Sequence, residues 1–309
     1  MTVVEKLAEE AEPKTRRRAD RERFRPSTLL WLTPATAILA GLFLVPIGYA
    51  IYLGFTNLQL LGPHAQSYNF TGLSNFDRMV HDAQFWSSVR LTLIFVIASG
   101  IIAQTFFGMA LALLAQRAFA AIRMSVGAIV IMAWVLPEIA CAFLWYSFSQ
   151  SGGLLSHLIG RPGDDLLSTA PFLIVCLANV WRGTAFSMLI LSAGLRAVPA
   201  EVDEAAQLEG ASYLRRLFRV TLPIIRPTIL VNMLLITIGT IGDFTLIYAM
   251  TQGGPGTSTS ILPVFMYIEA FTYNALGYGT AIALALMVIG FLISVVYIHQ
   301  LRPELRRGQ

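Results

Sequence analysis

The sequence predicts an all-α integral membrane protein: six transmembrane helices, with a cytoplasmic helix–turn–helix between the fourth and fifth. Three observations carry that prediction. Of 309 residues, 56% are hydrophobic and only 13% charged, with a mean hydropathy of +0.65, whereas soluble domains run near ~25% charged. The apolar residues gather into six long runs, and the basic residues crowd the segments that alternate runs leave on one side.

The runs cover about 29–55, 89–114, 124–148, 171–195, 227–250 and 279–298. Each approaches or exceeds the roughly 20 residues that a helix needs to cross hydrocarbon. None alternates apolar and polar residues as a barrel strand of about ten residues does. Pro34, Pro46, Pro137, Gly183, Gly239 and Gly242 fall inside these runs; membrane helices tolerate them where neighbours satisfy the freed backbone groups. Residues 1–28 are polar and rich in Arg. The run after them is too long for the apolar part of a signal peptide. An uncleaved first span is expected, preceded by a basic tail on anionic lipid.

Orientation follows from Arg and Lys. With the N-terminus inside, eighteen of the 22 basic residues are cytoplasmic; Arg78, Arg90 and Arg161 lie outside, and Arg182 falls within span four. Both termini, including the tail 301–309, are therefore expected in the cytoplasm of a multi-pass plasma (inner) membrane protein. Basic charge placed beside apolar runs argues against nucleic acid as a partner.

Several chemistries find no support. Cys141 and Cys176 sit within apolar runs without CxxC spacing, as buried small hydrophobes do. No Lys follows Lys14, so the chain has no Walker A loop to hold phosphate. His64, His81, His157 and His299 lack metal-site spacing. No catalytic, cofactor-binding or metal-binding residue is assigned, and an intramembrane enzyme lacks its reactive cluster. No internal repeat of spans supports a stand-alone secondary transporter, and the loop between spans four and five argues against a stand-alone channel.

That loop, residues 196–226, reads as two short helices. Pro199 suits a first turn, and Glu201, Asp203 and Glu204 suit the positive end of a helix. Gly210 can end it in a left-handed turn. A second helix is expected from about Ser212, with Leu214, Leu217, Phe218 and Thr221 on one face, stopping before Pro223. Periodicity alone fits an interfacial amphipathic hairpin without a partner equally well.

The residues themselves are more specific. Glu204-Ala205-Ala206, Gly210-Ala211-Ser212, Phe218, Leu222-Pro223 and Pro227 together resemble the EAA motif of bacterial binding-protein-dependent ABC importer permeases. Phe70-Thr-Gly-Leu-Ser-Asn-Phe76 with Phe85-Trp86 and Thr92, and Asn179-Val-Trp-Arg-Gly-Thr-Ala-Phe186, resemble segments of the carbohydrate-uptake subgroup. Thr251-Gln-Gly-Gly-Pro-Gly256 with Ser258, Thr259 and Tyr267 is similar to the maltose-type "F" permease rather than its "G" partner. Gln252 stands where a third Gly is frequent, and Glu209 where Asp is frequent.

The resemblance implies a non-catalytic permease subunit that passes a sugar across the membrane by alternating access. It implies a second "G"-type permease, a dimer of ATP-binding cassette ATPases that holds ATP and Mg, and an extracytoplasmic solute-binding protein. Glu204, Ala205, Ala206, Gly210, Ala211, Leu222 and Pro223 would couple to the ATPase. Sister systems carry glycerophosphates or polyols, which stand as alternative substrates.

Glu138, Arg182 and Asp243 are ionisable groups inside apolar runs, where such groups face a bundle interior or a watery path. They could form an ion pair, line the path, or both. Asn179, Trp181, Phe186 and Thr240 suit sugar hydroxyls and ring faces, and the resemblance implicates Asn179, Gly183, Phe186, Thr240 and Asp243. The spacing predicts one shared face for Asn179, Gly183 and Phe186, and another for Thr240 and Asp243. Gly183 is expected to leave room for ligand. Arg182 leaves open an anionic substrate such as a glycerophosphate.

Overall fold

The computed structural model describes the backbone of residues 26–307 and the side chains of residues 33–301. The expected tail 1–28 lies almost wholly outside the described residues, as do the side chains of 302–309. Among the described residues the structure is helical; its only strand-like pairing is an isolated bridge between Thr56 and Phe70.

The chain divides after Ala50 into two compact units. What is described of the first is helix α1 (Pro26–Gly54), which runs slightly past the division and contains Pro34 and Pro46. Leu42, Phe43, Leu44 and Val45 are all exposed. Four consecutive apolar side chains point around the whole helix, as they do where the surrounding solvent is itself apolar.

The second unit begins with helix α2 (Ser74–His81). Asn75 anchors it, donating through Nδ2 to the carbonyls of Gly54 at 2.9 Å and Thr56 at 2.7 Å. Helix α3 (Ala83–Arg117) is 35 residues long and apolar enough to cross a membrane. Asp82 caps it, accepting from the Gln84 amide at 2.8 Å, which satisfies one of the orphan donors of the first turn. Over Phe95–Gln104 its turns widen to π-helical spacing.

The expected third span is broken. Helices α4 (Ala120–Val135) and α5 (Glu138–Ser149) meet at 102° across Leu136 and Pro137. Pro137 disfavours helical backbone at Leu136, and its own missing N–H suits the start of the next helix. Helix α6 (Pro171–Arg196) is an unbroken span of 26 residues, with Pro171 in its first turn.

Helices α7 (Ala200–Leu208) and α8 (Tyr213–Ile224) follow, and α8 bends by 69° into α9 (Arg226–Ile241). The expected stop before Pro223 does not occur: helical backbone runs on to Ile224 and turns at Ile225.

The expected fifth span also breaks. Helix α9 ends at Ile241, and α10 (Thr245–Thr251) resumes after Gly242 and Asp243. Gln252, at the end of α10, has φ +53, a left-handed conformation that favours glycine. Helix α11 (Leu262–Thr272) and the long α12 (Leu276–Arg307) complete the chain.

Four helices are thus long and apolar enough to cross a membrane, and up to six spans result if each bent pair counts as one. Their packing relies on small residues. A Cβ on Gly108 of α3 would fall 2.3 Å from Ser187 Cβ of α6; such close approach is how membrane helices gain dispersion contact where lipid removes the hydrophobic drive. One core joins Phe95, Cys141, Ile174, Val175, Leu246 and Ile247. A second lies under the Ser74–His81 helix, and a third joins Ala112, Met188, Leu191 and Ile225 beside the α8–α9 bend.

Candidate functional site

Between these cores lies a polar cavity of about 220 Å³. Helix α6 gives it Asn179, Arg182, Gly183 and Phe186; α9 and the break after it give Gly239, Thr240 and Asp243; Glu138 enters from the start of α5. The helical spacings predicted from sequence therefore converge on one space. Gln104 and Trp134 line it too.

Its electrostatic centre is Arg182. Nη2 donates to Glu138 Oε1 at 2.5 Å, and Nη1 stands 3.9 Å from Asp243 Oδ2. The ion pair that the sequence left open is present, and the same three side chains line the cavity. Glu138 is the first residue of α5 and Asp243 lies in the gap between α9 and α10, so each carboxylate sits at a break while the guanidinium comes from an unbroken helix. Among the described residues these three are the charged groups of the cavity, and formally they carry one net negative charge. Asp243 Oδ1 and Arg182 Nε are buried without a hydrogen-bond partner.

Other residues take different parts from those expected. Trp181 does not line the cavity: it is 39% exposed and meets Trp145 edge-on, at 6.4 Å between centroids. One position along a helix turns a side chain by about 100°, and Trp181 follows Val180 away from the face of Asn179 and Gly183. Gly183 lines the cavity and also leaves room for Gln104, whose Oε1 would lie 2.0 Å from a Cβ placed there. Gln104 then donates to the Asn179 carbonyl at 3.1 Å. Asn179 spends its own amide on Ser99 Oγ at 2.7 Å, which leaves it a scaffold more than a free donor.

Phe186 stacks on Trp134 with centroids 5.9 Å apart, forming an apolar wall opposite the charges. A Cβ on Gly239 would meet nothing within 4 Å. Gln104 could have been noticed as a polar residue inside an apolar run; Trp134 gave no signal. The widened turns of Phe95–Gln104 explain why ordinary helical spacing did not point Gln104 and Ser99 toward α6.

Helices α7 and α8 are the two short helices expected here, but α8 runs past Pro223 and its apolar face is split. Gly210 has φ +77 and turns the chain between the two helices. Arg216 Nη1 donates to Asp203 Oδ2 at 3.0 Å, and the Arg117 guanidinium at the end of α3 lies 3.7 Å over the Tyr213 ring. Glu204, Ala205, Gly210 and Pro223 are exposed, while Ala206, Ala211 and Leu222 are half-buried. The expected single apolar face of α8 splits: Leu217 is buried, whereas Leu214 and Phe218 are exposed, because the turns from Leu217 to Thr221 are also widened. Leu208 is likewise exposed, at 91%.

Comparison with known proteins places the chain among transport proteins. Residues 104–302 match the family described as binding-protein-dependent transport system inner membrane component. The sulfoquinovosyl glycerol transport system permease protein SmoG of Agrobacterium fabrum is 30% identical, over 89% of this chain and 90% of its own length. The trehalose/maltose transport system permease protein MalF of Thermococcus litoralis is 33% identical, over 74% and 79%. Among solved structures, a bacterial alginate ABC transporter in complex with alginate pentasaccharide-bound periplasmic protein shares the fold, with TM-score 0.73, 21% identity, and coverage of 89% and 94%.

Proposed function

The chain belongs to the family of binding-protein-dependent transport system inner membrane components, and from that premise we propose that it is a permease subunit of an ATP-binding cassette importer that carries a sugar. It is a multi-pass membrane protein, and its similar proteins are named as permeases for sugar derivatives. The observation that carries the reading to this chain's own residues is the cavity around Arg182: a polar, partly charged space enclosed by spans that are otherwise apolar. Charged groups inside a membrane protein are costly and mark a pathway.

In this reading six spans form; the third is broken at Leu136–Pro137 and the fifth after Ile241, and Glu138 and Asp243 bring these two breaks to the cavity. Discontinuous spans at a ligand site let two helix segments move against each other about a fixed point, as alternating access requires. Arg182 stands beside both break-point carboxylates before ligand arrives. Phe186, backed by Trp134, offers an apolar ring face, and Thr240 and Asp243 offer polar partners to hydroxyls. ATP and Mg belong to partner ATPases, which dock on Glu204, Ala205, Ala206, Gly210, Ala211, Leu222 and Pro223 on the cytoplasmic side, where Leu208, Leu214 and Phe218 are also exposed. A second permease lobe and an extracytoplasmic solute-binding protein complete the importer, and both termini face the cytoplasm.

Gentle purification of the tagged chain from its native membrane tests this. An ATPase subunit and a second permease are expected to come with it in fixed ratio. Recovery of the chain alone, with passive sugar flux in ATP-free vesicles, would point to a channel instead.

A further inference from the structure

We infer that Arg90 and the two apolar grooves that meet beside it form a binding site for one anionic phospholipid, with the phosphate on Arg90 and the acyl chains in the grooves. The inference rests on the reading of α3 as a membrane span and on nothing about the transported ligand. Three arginines lie on the segments that the sequence places outside, and the structure treats them differently. Arg78 pairs with Glu269 at 3.3 Å and lies 3.9 Å over the Tyr278 ring. Arg161 stands 3.8 Å from Asp164. Arg90 is exposed and, among the described residues, has no carboxylate, ring or hydrogen-bond partner. It is the second residue of the apolar run 89–114, so it stands where hydrocarbon gives way to headgroups. An arginine at that level turns its guanidinium out of the hydrocarbon and meets an anion there.

The surface around Arg90 has the form of a two-chain lipid. Trp86, four residues earlier, and Leu93, three later, share the face of Arg90, and an indole at the membrane interface marks the same level. One apolar groove of about 480 Å³ runs along α3 past Trp86, Arg90, Leu93 and Ile97. A second, of about 470 Å³, lies between α3 and α12, where Leu284 and Val288 line it, and Phe76 and Val80 of α2 form part of its wall. Trp86 and Val89 belong to both grooves. The Trp86 indole N–H donates to the Val80 carbonyl at 2.8 Å, so a side chain that both grooves share is fixed. A guanidinium takes phosphate through two parallel hydrogen bonds. A zwitterionic headgroup brings its own cation and leaves the charge of Arg90 uncompensated, so lipids of net negative charge are favoured. A helix of a second permease lobe would cover the same grooves only by bringing a carboxylate to Arg90, whereas lipid phosphate is at that level already.

The test uses the purified importer in phosphatidylcholine nanodiscs that contain a small fraction of dibrominated phosphatidylglycerol or, separately, dibrominated phosphatidylcholine. Bromine quenches tryptophan at contact. Trp86 is 54% exposed, so Trp86→Phe leaves the core intact, and the wild type minus Trp86→Phe isolates its fluorescence. Phosphatidylglycerol is expected to quench Trp86 at about fivefold lower mole fraction than phosphatidylcholine. Arg90→Gln should abolish that preference, and Arg161→Gln, which removes an arginine that has a partner, should keep it. Native mass spectrometry reads the same site without fluorescence: Arg90→Gln should retain one phosphatidylglycerol fewer. Equal quenching by the two lipids in the wild type, or a preference that survives Arg90→Gln, overturns the inference. Trp86 that neither lipid nor aqueous iodide quenches also overturns it, because protein then covers this face, and the reading of α3 as a span stands. Quenching by iodide alone puts the face in water, and that reading falls with the inference.

Discussion

Arg182 Nη1 stands 3.9 Å from Asp243 Oδ2, joining the unbroken α6 to the gap between α9 and α10. The other end of the same guanidinium holds Glu138 at the start of α5. One cation therefore ties two helix breaks to one straight span, and the three residues do not contribute equally. Arg182→Leu leaves two carboxylates facing each other without a counter-charge. It is expected to cost about 2–3 kcal/mol, below the fully buried range because the Glu138 side chain is 36% exposed. Asp243→Asn leaves the shorter Glu138 pair in place and should cost less than about 1 kcal/mol. Adding Asp243→Asn to Arg182→Leu should recover part of the loss. Thermal midpoints of the purified proteins check this; Asp243→Asn as damaging as Arg182→Leu would make Asp243 the main partner.

Gly183→Ala places a Cβ 2.0 Å from Gln104 Oε1, so the amide must leave its seat against the Asn179 carbonyl. Overpacking of this kind costs about 1–3 kcal/mol. Gln104→Ala removes the clash, so the double variant is expected to be more stable than Gly183→Ala alone. A double-mutant cycle reads the coupling; a neutral Gly183→Ala, or a cycle with no coupling, contradicts the packing described.

Gly210 takes φ +77 in open surroundings, so the demand there is on backbone conformation alone. Gly210→Val should strain the turn by about 1–2 kcal/mol, whereas Asn enters the left-handed region readily. Ligand-stimulated ATPase activity of the assembled importer should fall with Gly210→Val, fall with Glu204→Lys, and persist with Gly210→Asn. Equal activity in all three removes this loop from energy coupling.

Between spans five and six, burial pushes the Glu269 carboxyl above its ordinary 4.5; Arg78, 3.3 Å away, pulls it down and Asp82 pushes it up. The folded state thus holds this proton more tightly than the unfolded state. Its contribution to stability is fully present below 4.5, is lost as pH rises through the raised value, and stays lost above it. The thermal midpoint of the wild type minus that of Glu269→Gln should decline across that window. A difference that rises with pH instead would mean that Arg78 dominates.

The face of α6 was legible because Asn179, Gly183 and Phe186 recur at helical spacing; that it meets Thr240 and Asp243 is visible only in the structure. The breaks were less legible. Pro137 was visible, yet membrane helices often absorb a proline, so nothing in the run distinguished a bend of 102° from a kink. Once the break is known, Glu138 becomes the start of a helix rather than a residue midway along one. Gln104 and Ser99 were hidden by widened turns, which shift side chains off the 3.6-residue period. The role of Gly183 depended on a side chain from another helix, 79 positions away, and no local pattern carries that information.

Passage of sugar through the Arg182 cavity, on energy supplied at the Gly210 loop, is decided by ATP-driven uptake into proteoliposomes that hold the complete importer and its solute-binding protein. Radiolabelled neutral sugar should accumulate with ATP and not without it. Gly239→Phe should abolish uptake while basal ATPase activity persists, and Gly210→Val should reduce uptake together with ligand-stimulated hydrolysis. Accumulation that needs no ATP, or that proceeds at the wild-type rate in Gly239→Phe, would contradict this mechanism.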